Sequence, residues 1–420
     1  MTRHPQGLLM KALVFDMNIP RMAVTRLLGT LSTRAYVGPS STFRYREIPD
    51  PVLPADDWVL IRTRYCGICG SDYKQVFMDG NIDNPMTSLI SFPQVLGHEV
   101  VGFIEKLGPA VKARKVGDRI VLNPWLSCSP RGFEPLCPSC AEGNFSRCYN
   151  FHRGILPPGI HTGNSSAATG GFAELVPAHE SMCIPIPEDI CFEEAVLADP
   201  YSVSLHAILN FPPREDGAVL VYGCGTLGLL SIAILKTLYP DVRVFAVYRF
   251  DHQRELALQF GAEEAIPWRP LDNLIPAIAS LTGAEVLEPQ HGKPMLNGGV
   301  QAIYDSVGTA ETLEIGVRVC DWRAKIVITG VATPRRFEWT PLYFKEISLI
   351  GSNAFGLETY NGKRSHAIEI YFDMIEKRDL DVTAILTHRF RLDQYAEALL
   401  ACRHQGRSRA VKVLFEYSSP

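Results

Sequence analysis

The stretch Val-Tyr-Gly-Cys-Gly-Thr-Leu-Gly, residues 221–228, narrows the fold more than any other part of this chain. It follows the continuous apolar run Ala218–Tyr222 and opens the apolar-rich segment Thr226–Leu238. Glycines at this spacing permit a tight turn, close backbone approach to a pyrophosphate, and close packing of helix on strand. The pattern is weak in isolation. Between a buried strand and a long helix it predicts a dinucleotide-binding βα unit whose helix N-terminus faces phosphates. Gly223, Gly225, Thr226, Leu227 and Gly228 are the candidate cofactor contacts. Strands predicted at Arg243–Tyr248, Val300–Asp305 and Lys325–Thr329 alternate with helical segments such as His252–Phe260. That alternation implies an α/β fold built on a doubly wound parallel sheet.

The first half has a different character. Short strand patterns at Met10–Phe15, Thr42–Ile48, Trp58–Tyr65, Val100–Leu107, Arg119–Leu122 and Ala173–Val176 are punctuated by Gly108, Gly117 and Asp118. Many short strands broken by turn residues predict a β-rich, barrel-like domain. Residues 16–41 interrupt this pattern as an insertion. Its Arg21–Leu31 portion predicts a short amphipathic helix with Met22, Leu27, Leu28 and Leu31 partly on one face. Residues 75–95 form a second insertion, and residues 285–299 an inserted loop. After about 350 the pattern rejoins the first domain and ends in a helix, Leu392–Arg403, and a strand, Ala410–Tyr417. The expected division is 1–204 with 350–420 for one domain and 205–349 for the other.

A net charge of −4 over 420 residues, with no long block of Lys and Arg, gives no nucleic-acid footprint. No run of about 20 apolar residues exists, so no spanning helix and no membrane partner is expected. Arg3 and His4 precede Leu8–Met10, but Lys11 and Asp16 break the apolar run before it makes a signal segment. The expected compartment is the cytoplasm. Of the 11 cysteines, Cys128, Cys137, Cys140 and Cys148 cluster, and Cys66 and Cys69 form a pair. In a reducing compartment such clusters hold metal more often than disulfides.

Two further motifs carry chemistry. Tyr-Cys-Gly-Ile-Cys-Gly-Ser-Asp ends at Asp72, and Leu-Gly-His-Glu spans 96–99. Cys69 offers a thiolate and His98 an imidazole, the donor types a catalytic zinc needs alongside an open position. Asp199 follows, in Leu-Ala-Asp-Pro-Tyr-Ser-Val, and then comes the glycine turn. Metal motif first and nucleotide motif second resembles the zinc-dependent medium-chain dehydrogenases, in their alcohol, polyol and threonine dehydrogenase branches. The resemblance covers roughly residues 42–415.

The resemblance implies a GroES-like catalytic domain joined to a Rossmann domain. It implies Cys69, His98 and Asp199 as catalytic zinc ligands, Cys66 as a non-ligand, and Glu99 as an outer-shell or exchangeable ligand. It implies a structural zinc held by Cys137, Cys140 and Cys148. Cys128 is the preferred fourth ligand, with Glu134 or a lost site as alternatives, because the family places its first cysteine where Glu134 stands. Ser71 matches the residue that starts the family's proton relay. Lys74 stands where the family usually has a relay histidine, so it is either a relay member or a phosphate or solvent contact. His206 reads as a satisfied helix histidine, and His161 as part of a Gly/Ser-rich loop, 153–171.

The implied activity is interconversion of an alcohol and an aldehyde or ketone with NAD or NADP. The alternatives are a zinc-free quinone or enone reductase, or a non-catalytic nucleotide binder, on the same fold. The implied partners are a small-molecule alcohol or carbonyl and a second copy of the chain, as a homodimer or homotetramer. An NAD-selective domain carries an acid at the end of its second strand. Tyr248 holds that position and Arg249 follows, which favours NADP. In the alternative, Arg249 stacks on adenine and the cofactor is NAD.

Overall fold

A computed structural model describes residues 9–81, 83–332, 335–377 and 380–418. The N-terminal residues Arg3, His4 and Leu8 and one position of the 75–95 insertion, residue 82, lie outside the described residues. The chain forms two compact units: residues up to Asp199 together with Leu386 onward, and Pro200–Ile385.

The first unit is built on a seven-stranded sheet. Its path runs from Leu386–Arg391 through Lys412–Glu416, Trp58–Gly67, Glu99–Leu107 and Arg119–Leu122 to Cys183–Pro185, and Leu175–His179 also pairs with Trp58–Gly67. Register shifts in the Trp58–Gly67 and Glu99–Leu107 pair, at Leu60/Ile61 and Thr63/Tyr65, are bulges that bend the sheet around its core. That core includes Trp58, Ile61, Val100, Ile104, Phe172 and Phe415. A three-stranded sheet of Phe43–Pro49, Leu9–Phe15 and Gln94–Val95 completes the unit. Register fixes the site: Cys66 pairs with Val100 and Gly67 with Glu99, and on the other edge Cys66 pairs with Phe415. The turn after Gly67 therefore emerges beside the turn before Glu99.

The second unit holds six parallel strands in the order Glu264–Pro267, Arg243–Tyr248, Ala218–Tyr222, Val300–Asp305, Cys320–Ile328, Ser348–Gly351. Strand order reverses beside Ala218–Tyr222, the switch point where such sheets bind ligands. Residues 285–299 differ from the expected loop. They form a small hairpin, Glu285–Leu287 with Met295–Asn297, whose Leu296 enters the core. Strands this short leave no readable period.

The return to the first unit comes at Leu386 rather than near 350. Ser348–Gly351 is still paired in the parallel sheet. After it a hairpin, Leu357–Tyr360 with Lys363–His366, leads into the helix Ala367–Glu376. That helix packs within the second unit: the Tyr371 ring lies 4.6 Å from the Tyr201 ring, and the Tyr201 hydroxyl is 2.7 Å from Met374 Sδ.

The 16–41 insertion contains the helix Ile19–Gly29, capped by Asn18 Oδ1 accepting from the Arg21 N–H at 3.0 Å, and a 3-10 turn at Thr33–Val37. Of the four apolar residues read as partly sharing a face, Leu27, Leu28 and Leu31 are exposed and Met22 is half-buried, while Thr25 is the buried residue.

Candidate functional site

Cys69 sits at the N-cap of the short helix Gly70–Val76. Its backbone N–H donates to Asp72 Oδ2 at 2.9 Å, and the Gly97 N–H donates to Asp72 Oδ1 at 3.3 Å. Asp72 is buried and its Oδ1 lies 3.7 Å from His98 Nδ1. One carboxylate thus ties the cysteine turn to the histidine turn. Gly67 makes the closeness possible, since a Cβ there would fall 1.8 Å from Glu99 Oε2. Gly97, at φ +89, turns the chain where a Cβ would strike Phe172.

Ligand atoms of Cys69, His98 and Glu99 all lie within 4.8 Å of one another. Asp199 falls outside that mutual set but is buried and interacts electrostatically with His98 and Glu99. Burial pushes its carboxyl up to about 7, against the opposing pull of His98. His98 Nδ1 and Asp199 Oδ2 are buried without a hydrogen-bond partner. Orphaned polar atoms beside a thiol are what a metal ion satisfies. Cys66 stays apart, fully buried in its strand with Sγ toward Gly67 O at 3.6 Å.

Several residues around this cluster had no role assigned from sequence. Asp72 is one; its signal is the helix-capping spacing of Cys69 and Asp72. Lys412 is another. It is buried, its ammonium pairs with Glu99 Oε2, and it donates to Ile68 O at 3.3 Å. Burial pulls its pKa down, but Glu99 and Cys69 outweigh this and the net shift is upward. The signal is a lone lysine inside the apolar run Val-Lys-Val-Leu-Phe.

His161 is the third. Its ring lies 4.5 Å from the His98 ring and meets Trp125 edge-on at 6.0 Å. Its Nδ1 is 2.7 Å from Thr162 O, and since a carbonyl only accepts, Nδ1 is the protonated nitrogen. Burial, then His98, lowers its pKa to about 3. The loop that carries it is held by Arg131, which is 1% exposed. Arg131 donates to the carbonyls of Leu126, Arg153, Leu156, Pro157 and Gly159 at 2.6–3.2 Å.

Ser71 is exposed on the helix Gly70–Val76, with Lys74 one turn on and half-buried. Burial lowers the Lys74 pKa, while Cys69 and Asp79 oppose the shift. His206 is engaged by Glu358 Oε1, 2.6 Å from its Nδ1, and by Asn210.

The sulfurs of Cys128, Cys137, Cys140 and Cys148 form a second set within 4.8 Å of one another. Glu134 is not part of that set. A 3-10 turn, Ser129–Arg131, and Gly132 at φ +72 loop the chain so that Cys128 reaches the others. N–H groups of Cys137 and Asn150 point at Cys128 Sγ and Cys148 Sγ, both at 3.3 Å, and Asn150 Nδ2 lies 3.1 Å from Cys128 Sγ. Such donors stabilise thiolate charge. Every cysteine of the chain is free of disulfides.

In the second unit Gly223 adopts φ +92, and a Cβ on Gly228 would sit 1.8 Å from Gly223 O. Nothing lies within 4 Å of a Cβ at Gly225, which leaves its backbone open to a ligand at the start of the helix Thr226–Leu238. Leu227 O accepts from Ser204 Oγ at 3.0 Å. Tyr248 ends its strand, and the Arg249 guanidinium lies over the rings of Trp268 at 4.9 Å and Phe250 at 5.2 Å. Arg269 lies over Trp268 at 4.4 Å, so two guanidinium groups meet that indole, a grouping that sequence spacing alone does not reveal.

Two family descriptions match the chain: the alcohol dehydrogenase GroES-like domain over residues 55–188 and the zinc-binding dehydrogenase over residues 226–369. The chain is 28% identical to (R,R)-butanediol dehydrogenase of Saccharomyces cerevisiae, covering 75% of this chain and 80% of that one. It is 26% identical to the sorbitol dehydrogenase of Arabidopsis thaliana, covering 85% and 88%. Its fold matches a crystal structure of an Escherichia coli alcohol dehydrogenase complexed with NADH, with TM-score 0.71, 23% identity, and coverage of 98% and 100%. The paired domain matches, on a GroES-like sheet and a Rossmann-type sheet in this order, place the chain in the zinc-dependent medium-chain dehydrogenase/reductase superfamily.

Proposed function

We propose that this protein interconverts a secondary alcohol of a small polyol and the matching ketone, with Cys69, His98 and Asp199 holding the catalytic zinc and Glu99 close by. Alcohol–carbonyl oxidoreduction with NAD(P) is the activity of its family. The polyol assignment is the finer step, supported by relatives named for butanediol and sorbitol. The observation that carries the site is the gathering of Cys69, His98 and Glu99, with His98 Nδ1 and Asp199 Oδ2 buried and unsatisfied. Sulfur, nitrogen and oxygen donors together suit zinc.

Zinc, when bound, polarises the alcohol or carbonyl oxygen and lowers the alcohol pKa, and the nicotinamide, when bound, takes or returns the hydride. Ser71 Oγ, on the exposed side of its helix, accepts the hydroxyl proton and passes it outward, with Lys74 Nζ the next group along the helix. Asp72 orients the Cys69 and His98 turns. Lys412 pairs with Glu99 and holds it in place. Cys128, Cys137, Cys140 and Cys148 hold a second, structural zinc. Gly223, Gly225, Thr226, Leu227 and Gly228 receive the pyrophosphate, and Tyr248 and Arg249 meet the adenosine ribose. Arg249 beside Arg269, with no acid at Tyr248, supports a preference for NADP.

A homodimer is part of this reading. Its support is the open edge strand Ser348–Gly351, with exposed Leu349 and, before it, exposed Trp339, Tyr343 and Phe344. Among the described residues no helix is long and apolar enough to cross a membrane. A cytoplasmic location completes the proposal. The test is a panel of diols, polyols and simple alcohols with NAD and NADP, read by nicotinamide absorbance. Turnover of vicinal diols or polyols above simple primary alcohols supports the assignment, and the reverse order overturns it.

A further inference from the structure

The helix Ile19–Gly29 is inside out. Its polar side faces the protein: Arg21 donates to Ser40 O at 3.1 Å and to Pro39 O at 2.8 Å, and Thr25, 0% exposed, donates to Ser40 O at 2.6 Å. Gly29 abuts Tyr36, where a Cβ would lie 2.3 Å from the ring. These contacts pin the helix in this rotation. Its other side carries Ile19, Val24, Leu27 and Leu28, and Leu31 follows; Ile19, Leu27 and Leu31 are 72%, 70% and 84% exposed. A water-facing helix normally shows the opposite pattern. A contiguous apolar ridge of this kind marks an interaction surface.

Charge names the partner. Residues 17–43 contain Arg21, Arg26 and Arg34 and no Asp or Glu. Thr33 Oγ1, 3.1 Å from His404 Nε2, joins this segment to residues 403–409, which contain Arg403, Arg407 and Arg409 and again no acid. Arg26, Arg34 and Arg407 are exposed, while the nearby Asp79 is paired with Arg403. A second copy meeting this face about a two-fold axis would bring the same arginines together, and like charges at such an interface are costly.

We propose that Ile19–Leu31 docks this protein on an anionic phospholipid surface. Leu27 and Leu31 enter the acyl boundary, and Arg26, Arg34 and Arg407 meet the headgroup phosphates. This is peripheral attachment, with the apolar side sunk only to the interface.

Co-sedimentation of the full chain with phosphatidylcholine vesicles, with and without about 30 mol % phosphatidylserine, tests the proposal. Wild type should sediment with the anionic vesicles and bind neutral ones at least about tenfold more weakly, since the basic residues gain only at a negatively charged surface. Leu27→Glu with Leu31→Glu should weaken anionic-vesicle binding at least about tenfold, as should Arg26→Glu with Arg34→Glu. Melting temperature and turnover should be unchanged in both. Leu27→Trp should add fluorescence that brominated lipid quenches, a readout independent of whether the charged variants fold. Failure of wild type to bind, equal binding by the leucine variant, or an unquenched Leu27→Trp overturns the proposal. So does a fall in oligomer mass of the leucine variant without any vesicle binding by wild type, which makes the ridge a subunit or protein contact.

Discussion

The two metal-competent clusters of the first unit differ in how completely they close. Around Cys128 the chain supplies four sulfurs and three N–H donors, all from residues 128–150. Four thiolates saturate a tetrahedral ion and leave no position for a reactant. Around Cys69 the donors are mixed, come from separate turns of the unit, and leave His98 Nδ1 and Asp199 Oδ2 unsatisfied. The first arrangement suits folding and the second suits chemistry. Local sequence builds the closed cluster, whereas strand register assembles the open one.

The contrast breaks most visibly by deleting ligands. Cys69→Ser or His98→Ala should lower kcat by about 10³-fold or more, the equivalent of losing ~4 kcal/mol of Lewis-acid stabilisation. Circular dichroism should show the fold retained. Cys140→Ser should do the reverse. Metal-binding energy there is folding energy, so the loss should exceed about 5 kcal/mol and lower Tm by ~10 °C or more. An unchanged Tm would remove the structural role.

Lys412 sharpens the comparison at the open cluster. Lys412→Met strands the buried Glu99 carboxylate and should destabilise the protein by about 3–5 kcal/mol in urea unfolding. Adding Glu99→Gln should recover much of that loss, and no recovery would show that the pair is not coupled. Arg131 tests whether the two clusters are independent. It lies between Cys128 and Cys137, yet it fixes the loop that brings His161 against His98. A lysine has three donors where five carbonyls are served. Arg131→Lys should therefore lower kcat/KM by roughly tenfold as well as Tm. A Tm effect alone would separate the lobe from the chemistry. The smallest effect belongs to the second unit. Arg249→Ala should cut the NADP-to-NAD ratio of kcat/KM by about tenfold, one charge-assisted contact, and a wild type that prefers NAD would show Tyr248 and Arg249 misread.

The local features were legible in the sequence. The turn Gly223–Gly228 could be read because glycine is required wherever φ is positive or a Cβ collides, and both occur there. The Cys128 lobe was legible as a cluster, although its looped Ser129–Gly132 segment obscured the spacing. Asp72, Lys412 and Arg131 were not legible as site residues, because their partners are set by tertiary register and loop path. Periodicity placed Met22, Leu27, Leu28 and Leu31 partly on one face, but it does not say which side of a helix docks. Here Arg21 and Thr25 decide that through carbonyls of residues 39–40. The late return at Leu386 was hidden for a related reason: Tyr201, Tyr371 and Met374 pack together across a long sequence separation.

The difference between an open and a closed cluster is tested most directly by titrating the folded protein with a chelator while following zinc content, turnover and circular dichroism together. Two zinc ions per chain are expected. One should leave first, taking turnover with it while the fold persists, and turnover should return on adding zinc. The other should leave only as the protein unfolds. Turnover that survives loss of the first ion, or both ions leaving in a single step with unfolding, would contradict it.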